Sequence, residues 1–182
     1  LAEYFGLPEV ASFWNEVVNI NIWNQHRISK LIIKKLFGTL SRKKIGILGF
    51  AFKSNTNDTR ESAAIQICKD LLDEGAILNI HDPKVNSNQI EQDLNLPQHK
   101  TNQNETLKEG SWQKITNFKD TFINADAVVI LTEWDEYLNI NWNEASILMR
   151  RPAWVFDSRS IVEPHKITKY GLNLWRIGDG LQ

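Results

Sequence analysis

The stretch 43–62, KKIGILGFAFKSNTNDTRES, carries the reading of the fold. Ile45 to Leu48 is a short β-branched run that enters a glycine turn at Gly46 and Gly49, and Ser62 to Asp73 follows with Ala64, Ile67, Leu71 and Leu72 at helical spacing. Beyond it the pattern repeats. Ala76 to Ile80, Val128 to Leu131 and Trp154 to Phe156 read as strands, with weaker candidates at Lys114 to Thr116 and Leu172 to Ile177. Lys119 to Asn124, Trp142 to Met149 and Pro164 to Tyr170 read as helices. Apolar strands alternating with helices predict an α/β fold, a parallel sheet covered by helices on both faces. In such sheets ligands lie beyond the carboxyl ends of the strands, so the loops there are the place to look for chemistry.

The first of those loops opens as a dinucleotide-binding turn would, and then departs from it. A G-x-G-x-x-G loop needs closely spaced glycines so that amides can reach a pyrophosphate, yet after Gly49 the next glycine is Gly75. The turn continues as Phe50, Ala51, Phe52 and Lys53, placing an aromatic ring and an ammonium where bare backbone would stand. A ring can pack on a base or sugar, and a lysine can serve as a point charge for phosphate. The plain alternative for Lys53 is an exposed loop lysine. Asp58 and Glu61 have capping-box spacing, which puts Arg60 in the first turn of the next helix, at the positive end of its dipole. Arg60 is then matched to an anion or is a solvated arginine paired with Asp58 or Glu61.

Upstream, Pro8 to Leu36 contains no internal glycine or proline, and Val10, Phe13, Trp14, Val17, Val18, Ile28, Leu31, Ile32 and Leu36 fall largely three and four apart. This predicts one amphipathic helix of roughly 43 Å, with Pro8 in its first turn and Gly38 past its end. Ile20, Ile22 and Trp23 widen the apolar face, as for a connecting helix with more than one neighbour and a bundle or dimer seam as its surroundings. Residues 1–40 are therefore taken as a connecting helix and 41–182 as the ligand-binding domain. From Lys84 to Gly110 the chain is polar and rich in Asn and Gln, and is expected to be an exposed, irregular excursion.

With 182 residues, 42% hydrophobic, the composition is that of a soluble α/β domain plus one extra element. The formal charge of -1 gives no general attraction to nucleic acid or anionic lipid, so an anionic ligand must be held by placed residues. There is no apolar run of the roughly 20 residues that a spanning helix needs. The start LAEYFGLPEV has no signal-peptide layout and no initiator Met, which reads as part of a longer protein. The single cysteine, Cys68, fits a reducing cytoplasm and reads as a buried, inert thiol within a helix.

Several blocks in order, LPEVASFWNEVVNIN (7–21), the stretch from Lys43 to Ala76, IHDPKV (80–85), ADAVVILTEWDEY (125–137) and VFDSRSIV (155–162), resemble the UDP-glucose 6-dehydrogenase family. The resemblance covers nearly the whole chain outside the polar excursion. It implies an N-terminal NAD-binding domain, a helical middle and a C-terminal Rossmann-like domain that binds UDP, of which this chain carries the end of the second and the third. It implies a reaction in which UDP-glucose, two NAD and water give UDP-glucuronate and two NADH through a cysteine-bound thioester. The cysteine, lysine, asparagine and aspartate of that chemistry would lie upstream, so no catalytic residue is assigned here and the chain alone is expected to be inactive. Phe52 and Lys53 match the family's substrate-contacting Phe-Lys pair and Arg159 the arginine of its Asp-x-Arg loop. Arg60 matches the arginine that contacts NAD held mainly by the other domain. Two alternatives stay open: a stand-alone UDP-sugar-binding or oligomerisation module, and the same domain of a GDP-mannose or UDP-N-acetylmannosamine dehydrogenase. Expected partners are UDP-glucose, the protein's own NAD-binding domain and further copies through the long helix, in the cytoplasm.

Arg159 follows the strand at Trp154 to Phe156, where a guanidinium can hold phosphate or stack on a base; its plain alternative is a salt bridge to Asp157. Glu133 and Asp135 read as solvated or helix-capping rather than as an acid–base pair. Thr132 and Trp134 read as pocket lining. Asp82 ends the second strand, where a Rossmann unit places its ribose-binding acid, but Pro83 after it favours a turn. His26, His81, His99 and His165 show no metal-ligand spacing, and no metal is expected.

Overall fold

A computed structural model describes residues 1–99 and 108–180. Six strands, β1 (Lys44–Leu48), β2 (Ile77–His81), β3 (Ser111–Lys114), β4 (Ala127–Ile130), β5 (Trp154–Asp157) and β6 (Asn173–Arg176), form one parallel sheet in the order β3-β2-β1-β4-β5-β6. The order reverses between β1 and β4, which is the switch point of a Rossmann-like fold. All four residues of β4, AVVI, are buried, as a strand covered on both faces requires. The register sets Leu48 beside His81 and Ile130, and Ile130 beside Asp157. The loops after β1, β2, β4 and β5 therefore leave the sheet side by side.

Helix α1 (Pro8–Lys35) runs for 28 residues, about 42 Å. Its C-terminal half is anchored: Ile28, Ser29 and Ile32 are buried. Asp70 of α2 (Ala63–Asp73) accepts from Ser29 Oγ and lies 2.8 Å from His26 Nδ1. Its stretch from Val10 to Trp23 leaves Val10, Phe13, Trp14, Val18, Ile20, Ile22 and Trp23 exposed. No helix among the described residues is long and apolar enough to cross a membrane.

The expected irregular excursion contains a helix, α3 (Ser87–Leu94). Asn86 caps it by accepting from the Gln89 amide at 2.9 Å, and Ile90 and Leu94, four apart, are buried. Asn95 ends it in the left-handed region at φ 54°. Residues 100–107 of that stretch lie outside the described residues. Lys119 to Asn124 forms a 3-10 turn (Phe118–Phe122), and the remaining helices are α4 (Asp135–Leu138), α5 (Trp142–Leu148) and α6 (Pro164–Thr168).

Candidate functional site

At the end of β1 the chain turns through Gly49, whose φ of 92° suits glycine. A Cβ there would lie 2.4 Å from Thr132 Cβ, so the glycine is required by the approach of the β4 loop. From Phe50 to Phe52 every backbone polar group then has a partner. The amides of Phe50 and Ala51 donate to Asp82 Oδ2 at 2.7 and 2.9 Å. The Phe50 carbonyl accepts from Ser62 Oγ at 2.8 Å and the Ala51 carbonyl from Thr132 Oγ1 at 2.7 Å. The Phe52 amide donates to the Asp58 carbonyl at 2.9 Å, and Arg159 reaches the Phe52 carbonyl at 3.4 Å. These partners come from the ends of β2, β4 and β5 and from the entry to α2.

Held in this way, Phe52 is left half-exposed at 49%, and Lys53 is exposed beside it. Lys53 makes no hydrogen bond or ion pair among the described residues. Arg159 donates Nε to the Leu131 carbonyl at 2.7 Å and lies 3.3 Å from Glu133 Oε2. Its ionic partner is thus Glu133, in place of the Asp157 considered from sequence. Asp157, fully buried, instead accepts from the amides of Arg159 and Val162 and fixes the turn. The structure brings Arg159 against the Phe52 carbonyl, with Lys53 next in the chain. Phe52 presents a ring and the two side chains beyond it present cations, which suits a ligand with a flat or sugar face and an anionic chain.

Arg60 stands apart from the expected helix start. Glu61 has φ 60°, a left-handed conformation that no helix continues through, and Ser62 is the N-cap, its Oγ accepting from the Ala64 amide at 3.3 Å. The capping box of Asp58 and Glu61 is therefore absent, and with it the conflict between Arg60 and the helix dipole. Arg60 lies in the preceding turn, paired two-pronged with Asp58 at 3.0 and 2.7 Å. Those hydrogen bonds hold the Asp58 carboxyl down at about 2.

Thr132 and Trp134 are buried rather than pocket-lining; Trp134 Nε1 donates to Asp82 Oδ2 at 3.2 Å. Asp82 does make the expected turn, through the amides of Lys84 and Val85, and also serves the β1 loop. Sequence reasoning missed that second role and the Glu133 pairing; the acid at the end of β2 was the only signal for the first. Burial pushes the Cys68 thiol far up, so it is no nucleophile. Among the described residues no group of three or more His, Cys, Asp or Glu is arranged to hold a metal. A cavity of about 370 Å³ lies elsewhere, between α1 and Trp175 and Ile177 of the β6 end.

Residues 46–164 match the UDP binding domain of the UDP-glucose/GDP-mannose dehydrogenase family. The chain belongs to this family. Phe52, Lys53, Arg60, Asp82, Thr132 and Arg159 all fall within the matched span. Across its full length the chain is 42% identical to a UDP-glucose 6-dehydrogenase of Drosophila melanogaster, of which it covers 38%. It is 40% identical, over 98% of its length, to one of Caenorhabditis elegans, covering 36% of that protein. The chain thus spans rather less than two fifths of these curated relatives. A solved UDP-glucose dehydrogenase from the archaeon Pyrobaculum islandicum superposes with a TM-score of 0.66 over 96% of this chain and 33% of that one, at 23% identity, which establishes the shared fold.

Proposed function

We propose that this chain is the nucleotide-sugar-binding part of an NAD-dependent UDP-glucose 6-dehydrogenase, with Phe52, Lys53 and Arg159 as its ligand contacts. The observation that supports this most is the bridging of Arg159 to the carbonyls of Leu131 and Phe52, which sets a guanidinium against the backbone of the β1 loop that carries Phe52 and Lys53. In this reading Phe52 packs on the uracil or sugar, and Lys53 and Arg159 neutralise the diphosphate, with Glu133 released from Arg159 as the phosphate arrives. NAD, held mainly by the dehydrogenase domain of the whole protein, would accept the hydrides. The β1 loop here does not fit a dinucleotide pyrophosphate, because Asp82 already takes the amides of Phe50 and Ala51. Arg60 would reach NAD by exchanging its exposed partner Asp58. The buried Cys68 supplies no thiolate, so the thioester chemistry belongs to residues outside this chain.

The same reading divides the chain at about residue 40, with α1 as an assembly element whose exposed apolar half meets a second copy. Within this chain the one thiol is buried and unpaired, which suits the cytoplasm. Calorimetry of the chain with UDP and GDP tests the ligand. UDP should bind more tightly, and Lys53→Ala and Arg159→Ala should each weaken it about tenfold to a hundredfold, the usual scale for a lost charge-assisted bond. Tighter binding of GDP, or unchanged UDP affinity in both variants, overturns the assignment, and NAD reduction by this chain alone would overturn its division of labour.

A further inference from the structure

Asp82 is 2% exposed and its carboxylate accepts five hydrogen bonds. Oδ1 takes the amides of Lys84 and Val85, both at 2.9 Å, and this alone completes the turn after β2. Oδ2 points the other way. It gathers the amides of Phe50 and Ala51 and the indole N–H of Trp134, groups that lie 31 to 52 residues away in sequence. Three N–H dipoles converging on one buried point call for an anion. In a dinucleotide-binding unit the amides after the first strand face the ligand's pyrophosphate, and the acid ending the second strand faces its ribose. Here those two features are joined to each other.

We propose that Asp82 is the resident anion of the β1 loop: its carboxylate stands where a dinucleotide phosphate would, closes the loop to such a ligand and positions Phe52 and Lys53 to receive the nucleotide sugar. The last part rests on the ligand reading given above. Asp82 is a positioning residue, acting on the ligand only through the loop. A neutral isostere cannot replace it, because an asparagine side chain has one acceptor oxygen for two sets of donors, and its nitrogen would face N–H groups on one side. An incoming phosphate would meet the buried carboxylate at close range and be repelled.

The test combines backbone amide exchange with UDP titration of the chain and its Asp82→Asn and Asp82→Ala variants. In Asp82→Asn the amides of Phe50 and Ala51 should lose protection and UDP should bind about tenfold more weakly. Ile32→Ala, in the α1–α2 seam, lowers stability as well, but should reduce protection across the core alike, without a loss particular to Phe50 and Ala51, and should leave UDP affinity unchanged. In Asp82→Ala, sodium formate, whose carboxylate matches the one removed, should restore protection and UDP affinity, while sodium chloride at equal ionic strength should not. Unchanged protection in Asp82→Asn overturns the proposal, as does lost protection with unaltered UDP affinity. A deficit in Asp82→Ala that formate leaves in place overturns the anion requirement. If the parent chain binds no UDP, the ligand reading falls by itself, and the exchange data still decide whether Asp82 holds the loop.

Discussion

In the loop after β1, each amide and carbonyl from Phe50 to Phe52 has a partner within the chain, supplied by three strand ends and the start of α2. In the first two thirds of α1, where the backbone is a regular helix, Phe13, Trp14, Val18, Ile20 and Trp23 are each more than half exposed. The irregular segment thus has its partners within this chain, and the regular one leaves an apolar face exposed. Helical pairing satisfies backbone groups locally and says nothing about what covers the side chains, whereas a loop at the switch point holds its shape only through distant partners. Local regularity is accordingly a poor guide to which side chains are covered.

The severest way to break this contrast is Gly49→Ala. A methyl group would meet Thr132 Cβ at 2.4 Å and its amide nitrogen at 2.7 Å, in a backbone conformation that alanine disfavours. Displacing Thr132 also frees the Ala51 carbonyl. We expect a loss of about 3 kcal/mol or more in urea unfolding, from overpacking and backbone strain together. A loss below about 1 kcal/mol, within the range of ordinary substitutions, would mean that the loop yields easily and is not clamped.

Next come paired substitutions along α1. Ile32, fully buried against the domain, should cost about 2–5 kcal/mol when changed to Ala. Trp14, 60% exposed, should change the stability of the isolated chain by no more than about 0.5 kcal/mol when changed to Asp, yet shift its sedimentation toward monomer. A parent chain that already sediments as a monomer at high concentration removes the proposed seam.

The sequence revealed these regions unequally, for physical reasons. Buried strands such as AVVI and KIGIL announce themselves by β-branching, and α1 by its period, so the order of elements was legible. The edge strand β3 begins at Ser111, earlier than the expected Lys114, because its pairing to Ile77–Ile80 is set by β2 and by burial of Trp112, neither visible locally. Helix α3 escaped notice because only Ile90 and Leu94 anchor it within polar sequence. At the site, residue types and strand-end positions left Lys53 and Arg159 open between ligand contacts and plain surface charges, and only the family resemblance singled out Phe52, Lys53 and Arg159. The braces did not show: Asp82, Thr132 and Trp134 act across 31 to 81 residues, and Glu61 gives no sign in sequence of its left-handed backbone.

A final prediction probes the sheet end beneath the loop. His81 ends β2, is 4% exposed, and its carbonyl accepts the Gly49 amide at 2.8 Å. Its ring Nδ1 lies 2.8 Å from the Tyr137 hydroxyl. Burial pushes the imidazole down from 6.5 to about 4, with Lys114 acting in the same direction and Asp82 and the Thr116 backbone opposing. The folded state therefore keeps His81 neutral where the unfolded chain takes up a proton, so stability should fall as pH drops from about 6.5 to about 4 and level off below. Glu136, whose carboxyl is raised by burial and by Asp82, works in the opposite sense, so the raw slope mixes the two. The difference in urea midpoint between the parent and His81→Gln isolates the histidine. It should narrow as pH falls through this window, since the variant has no imidazole to protonate on unfolding. A constant difference would mean that His81 is solvated and that the β2 end beneath Gly49 is open to water, contrary to a loop braced from within.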